Sequence, residues 1–174
     1  MKNNKFVVYI LGTSCAGKST VEDLLKKEIP GMYTLNYDKT KWQFSDYHRD
    51  THKDRVKSLI KDFFEATCRA GHSILLITLI EDRGEYKSFV DIAVENNYKF
   101  LPVQLTAPKD ILLKRFRERI KSAKKAGSKI SVTDENLFLK NMSRKFFVPD
   151  NTSKFDSSKQ SPEDIVGEIL KLLN

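Results

Sequence analysis

Two hydrophobic patterns alternate along the chain. Residues 5–11, Lys-Phe-Val-Val-Tyr-Ile-Leu, run almost without a polar break, as a strand covered on both faces does. Val21, Leu24, Leu25 and Ile29 then fall at helical spacing, which predicts a helix over residues 19–28 stopped by Pro30-Gly31. Residues 32–37 form a short strand candidate. Val56, Leu59, Ile60, Phe63 and Phe64 follow i, i+3, i+4, i+7, i+8, so residues 54–70 read as a helix that Gly71 ends. Residues 73–80 are a second buried strand, and Tyr86, Phe89, Val90, Ala93 and Val94 mark a helix ending near Asn96-Asn97. A strand over 99–105 and a long basic helix over 109–126 follow. A shorter helix over 133–147 comes next, with Leu137, Leu139 and Met142 as its apolar contacts, then a last strand over 154–156. Ser161-Pro162-Glu163-Asp164 starts the final helix: serine caps, proline suits the first helical position, and acids suit the positive end of the dipole. Its apolar face is Ile165, Val166, Ile169, Leu170 and Leu173. No internal repeat or linker interrupts the series, and the polar stretch 122–131 reads as a mobile loop. Strand–helix alternation of this kind predicts an α/β fold with a parallel sheet and helices on both faces.

Composition narrows the picture. A length of 174 residues fits a single domain over 1–174 with a sizeable core. With 40% hydrophobic residues the chain is too apolar to be disordered, yet no run approaches the roughly 20 residues that span a bilayer. The apolar run after Met1-Lys2-Asn3-Asn4-Lys5 is short and lacks a cleavage site, so it does not read as a signal peptide. Cys15 and Cys68 make no disulfide framework, and the expected location is cytoplasmic. The net charge of +8 points to an anionic partner, which nucleotide phosphates, nucleic acid or a membrane surface would each satisfy.

The chemistry enters with Gly12-Thr13-Ser14-Cys15-Ala16-Gly17-Lys18-Ser19, a complete G-x-x-x-x-G-K-S sequence between a buried strand and an amphipathic helix. Its glycines let successive N–H groups curl around a phosphate, and the helix start adds its positive dipole end. Lys18 is expected to bridge the β- and γ-phosphates and Ser19 to ligate Mg²⁺. The pattern predicts nucleoside triphosphate binding, with Cys15 read as a small residue tolerated in the loop. Of the larger classes, a GTPase would need a guanine-reading motif. Ser153-Lys154-Phe155-Asp156 only approximates one, and no Asp-x-x-Gly follows the third strand. A motor-type ATPase would run its third strand into an acid, whereas Glu81-Asp82 comes late here, and the chain is short for such machinery.

Gly12 to Thr20 resembles the loop of P-loop kinases of the small-molecule, nucleoside and polynucleotide types, among them chloramphenicol phosphotransferase, zeta toxin and the 5′-hydroxyl polynucleotide kinases. Asp38, after the second strand in Leu35-Asn36-Tyr37-Asp38, is similar to the family's acceptor-contacting aspartate. Lys41 stands where the polynucleotide kinases usually carry arginine. Leu105-Thr106-Ala107-Pro108, with Arg115, Arg117 and Arg119 beyond it, resembles the strand, Ala-Pro turn and lid helix. Phe155-Asp156-Ser157-Ser158 is like the family's loop beside adenine. The resemblance implies a three-layer P-loop fold with a five-stranded parallel sheet in the order 2-3-1-4-5 and a basic lid over roughly 115–135. It departs from many relatives at Leu75-Leu76-Ile77-Thr78, which holds no metal-site aspartate. Mg²⁺ then leans on Ser19, water and Asp38, and Glu81 or Asp82 is an open replacement.

These implications lead to an ATP-dependent kinase acting on a hydroxyl of a small-molecule or nucleoside-type acceptor. The alternatives are a 5′-hydroxyl polynucleotide kinase and a regulatory nucleotide-binding protein with slow ATPase activity. Lys18, Asp38, Arg119 and Arg115 are the catalytic candidates, the two arginines one helical turn apart on one face and Arg117 off it. Asp38, Lys41 and Trp42 are the substrate candidates, Trp42 and Phe44 reading equally as stacking or packing residues. His48 and His52 have i, i+4 spacing but no third ligand, and Lys121, Lys124, Lys125 and Lys129 add charge to the lid.

Overall fold

The computed structural model describes residues 5–127, 130 and 132–174, so Met1–Asn4, Ser128, Lys129 and Ser131 fall outside the description, and with them part of the lid stretch and one of its four lysines. The elements run β1 (Phe6–Leu11), α1 (Lys18–Glu28), β2 (Tyr33–Asn36), α2 (Tyr37–Lys41), α3 (Arg49–Ala70), β3 (Ile74–Ile77), α4 (Arg83–Glu95), β4 (Lys99–Thr106), α5 (Lys109–Ala126), α6 (Glu135–Met142), β5 (Ser153–Asp156) and α7 (Pro162–Leu173). The strands form one parallel sheet in the order β2-β3-β1-β4-β5, with β1 pairing Val7 to Ile74 on one side and Val7 to Phe100 on the other. This is the predicted P-loop order.

Alternation along β1 divides the core into two layers. Val8 and Ile10 face Val21 and Leu25 of α1, Leu112 and Phe116 of α5, Phe138 of α6 and the apolar face of α7. Val7, Tyr9 and Leu11 face Val56, Ile60 and Phe64 of α3 and Phe89 and Ala93 of α4. The period of two in a strand makes both layers possible from one central run. Among the described residues no helix is long and apolar enough to cross a membrane.

The structure departs from the pattern-based boundaries in five places. The second strand ends at Asn36, because the Asn36 side chain accepts from the backbone N–H groups of Asp38 and Lys39 and so turns the next five residues into α2. Helix α3 starts at Arg49, since its polar first turn carries no apolar period. Strand β3 stops at Ile77. Helix α6 covers only Glu135–Met142, and the chain beyond it packs Phe146 and Val148 on the α3 side while Phe147 N–H donates to Ile80 O at 3.2 Å. Residues 122–126 of the expected loop are the last turns of α5, which Gly127 ends in a left-handed conformation.

Candidate active site

Residues 12–17 wrap from the end of β1 to the start of α1, and two glycines make the wrap possible. Gly12 sits at φ +146, and a Cβ there would lie 2.4 Å from the Leu105 carbonyl oxygen of β4, so the loop lies against its neighbouring strand. Gly17 sits at φ +94 as the N-cap of α1 and brings no side-chain cap, while the first turn holds no acid. The helix start is therefore suited to an anion. Lys18 folds back over the loop, and its Nζ donates to Gly12 O at 2.8 Å and Thr13 O at 2.7 Å. Ser14, Ser19 and Thr20 are exposed, Cys15 is partly buried at φ +65, and Ala16 is buried in the core. Burial pushes the Lys18 ammonium down to about 8; Asp38 and Cys15 oppose that shift and Arg119 adds to it. All three thus act on the same ammonium.

Helix α2 carries Asp38 to this point. Its carboxylate is 71% exposed and accepts from Lys41 Nζ. The Lys41 side chain is buried, its ammonium 5.2 Å from the Trp42 ring centre and 5.9 Å from those of Tyr37 and Tyr47. Trp42 is half exposed and meets Tyr47 edge-on at 6.0 Å. The Tyr37 and Tyr47 hydroxyls lie 3.0 Å apart. The Phe44 ring instead packs against His52 and the α3 layer, which makes it a packing residue in this arrangement.

Glu22 and Lys39, both absent from the sequence reading, complete this arm. Glu22 of α1 is fully buried, and its carboxylate accepts from Asn36 Nδ2 at 2.8 Å and from Lys39 Nζ. The only sequence signal was a carboxylate between Val21 and Leu25, inside a helix face that is otherwise apolar.

The three arginines of α5 separate by partner. Arg115 donates to Ser157 Oγ at 2.9 Å, to Ser157 O at 2.7 Å and to Cys15 O at 3.4 Å, bracing the loop after β5 against the phosphate loop. Arg117 makes a bidentate pair with Glu135 of α6. Arg119 is exposed on the side of Lys18. Phe116 stacks on Phe138 with ring centres 4.1 Å apart, which seats α6 on α5.

The open replacements Glu81 and Asp82 and the His48–His52 pair are engaged elsewhere. Glu81 pairs with Lys53 and Lys57 of α3, Asp82 caps α4 through the Glu85 N–H, and Lys53 above all holds the Glu81 carboxyl below its usual range. His52 Nδ1 accepts from the His48 N–H at the start of α3. Among the described residues no group of three or more His, Cys, Asp or Glu side chains could hold a metal ion. Ser19 at the helix start fits Mg²⁺ only in company with phosphate oxygens. A cavity of about 230 Å³ lies beside the loop, lined by Thr13, Thr106, Lys109, Leu112, Met142 and Phe146 among others; Asp38, Lys41 and Trp42 do not line it.

The model of a family described as AAA domain matches residues 7–147. The chain belongs to the AAA domain family. No curated protein sequence matches it. Among solved structures, this AAA domain chain is similar to a Chloroflexus aurantiacus protein provisionally assigned as a kinase, with TM-score 0.74, 13% identity and 97% and 98% of the two chains covered. It is also similar to the Mycobacterium tuberculosis APS kinase CysC in complex with AMPPNP and APS, with TM-score 0.67, 16% identity and 98% of each chain covered. A chain of an RNA repair complex matches with TM-score 0.63 and 14% identity over 82% of this AAA domain chain and 44% of the other. The AAA domain described here therefore has the fold of the P-loop kinases.

Proposed function

We propose that the chain is an ATP-dependent kinase that transfers the γ-phosphoryl group of ATP to a hydroxyl of a small-molecule or nucleoside-type acceptor. The observation that carries the reading is the phosphate loop: glycines wrap it between β1 and an uncapped start of α1, with Lys18 folded back on its carbonyls, and Asp38 and Arg119 bear on the charge of Lys18 from α2 and α5. Phosphoryl transfer asks for that kind of charge arrangement more than for covalent chemistry. The loop amides from Gly12 to Thr20 and Lys18 hold the triphosphate. Asp38 accepts the proton of the acceptor hydroxyl as its oxygen bonds to the γ-phosphorus, and the bond to the β–γ bridging oxygen breaks to release ADP. Ser19, together with phosphate oxygens, would hold Mg²⁺, which would neutralise the developing charge. Arg119 adds positive charge from the lid, which we place at roughly 115–135, and Arg115 assists by fixing the loop geometry at Cys15 and Ser157.

Lys41 and Trp42, beside Asp38, are the acceptor-side contacts in this reading. The small-acceptor reading draws on likeness in fold to an APS kinase solved with AMPPNP and APS. A second reading, transfer to a nucleic-acid 5′-hydroxyl, draws on the exposed lysines 114, 121, 124 and 125 of α5. The deciding experiment incubates the protein with γ-labelled ATP and adenosine, D-glucose or a 5′-hydroxyl oligonucleotide. Transfer to either small molecule supports the first reading; transfer confined to the oligonucleotide, lost steeply with salt, replaces it by the second. Asp38→Asn should remove transfer by a factor of about 10²–10⁴ with ATP affinity retained. Near wild-type turnover in that variant would end the role of Asp38.

A further inference from the structure

We infer that Glu22 is a positioning residue for phosphoryl transfer, acting through Asn36 to fix the backbone that carries Asp38. The inference rests on the reading of Asp38 as the acceptor-side base. Its physical basis is the acceptor-only character of a carboxylate. Glu22 Oε2 takes a hydrogen bond from Asn36 at 2.8 Å, and only the Nδ2 end of that amide can donate it. The opposite end, Oδ1, is thereby turned to the α2 amides, where it accepts from Asp38 N–H at 2.9 Å and Lys39 N–H at 3.3 Å. With either end of the amide equally acceptable to its neighbour, the cap on α2 would lose its assigned orientation. Thr40 Oγ1 donates to Asn36 O at 2.9 Å and ties the same residue to the next turn.

The placement gives the link its meaning. Glu22 lies one turn after Ser19 on α1, the helix whose first residues form the phosphate site. Its carboxylate is wholly buried, and Lys39 supplies the balancing charge from α2. Two ends of the reaction, the phosphate-binding helix and the short helix bearing Asp38, are therefore registered to each other by one carboxylate and one amide. A misplacement of about 1 Å at a reacting group is enough to cost on the order of 10²-fold in rate.

The test compares Glu22→Gln, Asn36→Ala, Lys39→Met and Asp38→Asn in the intact protein. Glu22→Gln keeps the shape but makes the partner of Asn36 a donor as well as an acceptor. Two measurements are made: amide hydrogen exchange at Asp38 and Lys39, and transfer from γ-labelled ATP to adenosine, D-glucose, a 5′-hydroxyl oligonucleotide and water. The expected result for Glu22→Gln is exchange at both amides faster by about tenfold. Its kcat should fall by roughly 10–100-fold with the ATP dissociation constant unchanged, a split that a merely structural loss would not produce. Asn36→Ala, which leaves the carboxylate in place but removes the cap on α2, should do the same and serves if Glu22→Gln folds poorly. Lys39→Met keeps the amide link but leaves the Glu22 carboxylate buried without its balancing charge, so it should lower the Tm while exchange at the Asp38 amide stays slow. Wild-type exchange at both amides in Glu22→Gln, or wild-type kcat there while Asp38→Asn is inactive, overturns the inference. An active Asp38→Asn instead removes the underlying reading of Asp38, and the catalytic part of the inference with it.

Discussion

The buried ammonium of Lys18 makes triphosphate affinity depend on pH in a way that can be worked out from the structure. In the ligand-free protein burial lowers it from 10.5 to about 8, because the charged form has lost solvent and gained only two carbonyl partners. A triphosphate placed against it favours the charged form and returns its proton affinity at least to the ordinary lysine range. Over the window from 8 to 10.5 binding therefore takes up a proton, and affinity falls as pH rises. At about pH 9 only about one molecule in ten carries the ammonium before binding, so the dissociation constant should be about tenfold larger than at about pH 7. Calorimetric titration with a non-hydrolysable ATP analogue, repeated in buffers of different ionisation enthalpy, reads both the affinity and an uptake close to one proton at the higher pH. The Cys15 side chain belongs to the same loop, so Cys15→Ala is the control and should keep the profile. Constant affinity from about pH 7 to 9.5 with no proton uptake would refute the reasoning, and a profile abolished by Cys15→Ala would transfer it to the thiol.

Other substitutions test the supporting geometry. Gly12→Ala drives a methyl into the Leu105 carbonyl and should cost on the order of 2–4 kcal/mol, read as a lowered Tm with weakened nucleotide binding. Arg115→Ala unties Ser157 from the phosphate loop and should lose about 1–2 kcal/mol together with ATP affinity, whereas Arg117→Ala should leave the Tm and the affinity unchanged. Phe138→Ala empties a buried site where α6 seats on α5 and should destabilise by about 3–5 kcal/mol, seen in denaturant unfolding.

Strands were the most legible part of the fold, since a parallel sheet buried on both faces writes itself as unbroken apolar runs such as Val7–Leu11 and Ile74–Ile77. The phosphate loop was equally plain, because its chemistry is local in sequence. Helix α2 was not. Five residues are too few for a hydrophobic period, and its start is set by the side chain of Asn36 rather than by its own composition. Glu22 escaped for the opposite reason. A glutamate in an amphipathic helix reads as solvated, and only the approach of Asn36 and Lys39 from a separate segment makes burial of its charge tolerable. The partners of Arg115 and Arg117 also lay out of reach, since position on a helix face says nothing of whether Ser157 or Glu135 stands opposite.

Trp42 is the chain's one tryptophan, and it sits at the end of the helix that carries Asp38, half exposed, with the Lys41 ammonium over its ring. The protein thus has a native fluorophore where the acceptor is proposed to bind. Indole emission responds to a nearby positive charge and to water, so a molecule that draws Lys41 away or covers the ring changes the colour of the emitted light. Acceptors can then be sorted optically, without label, nucleotide or turnover.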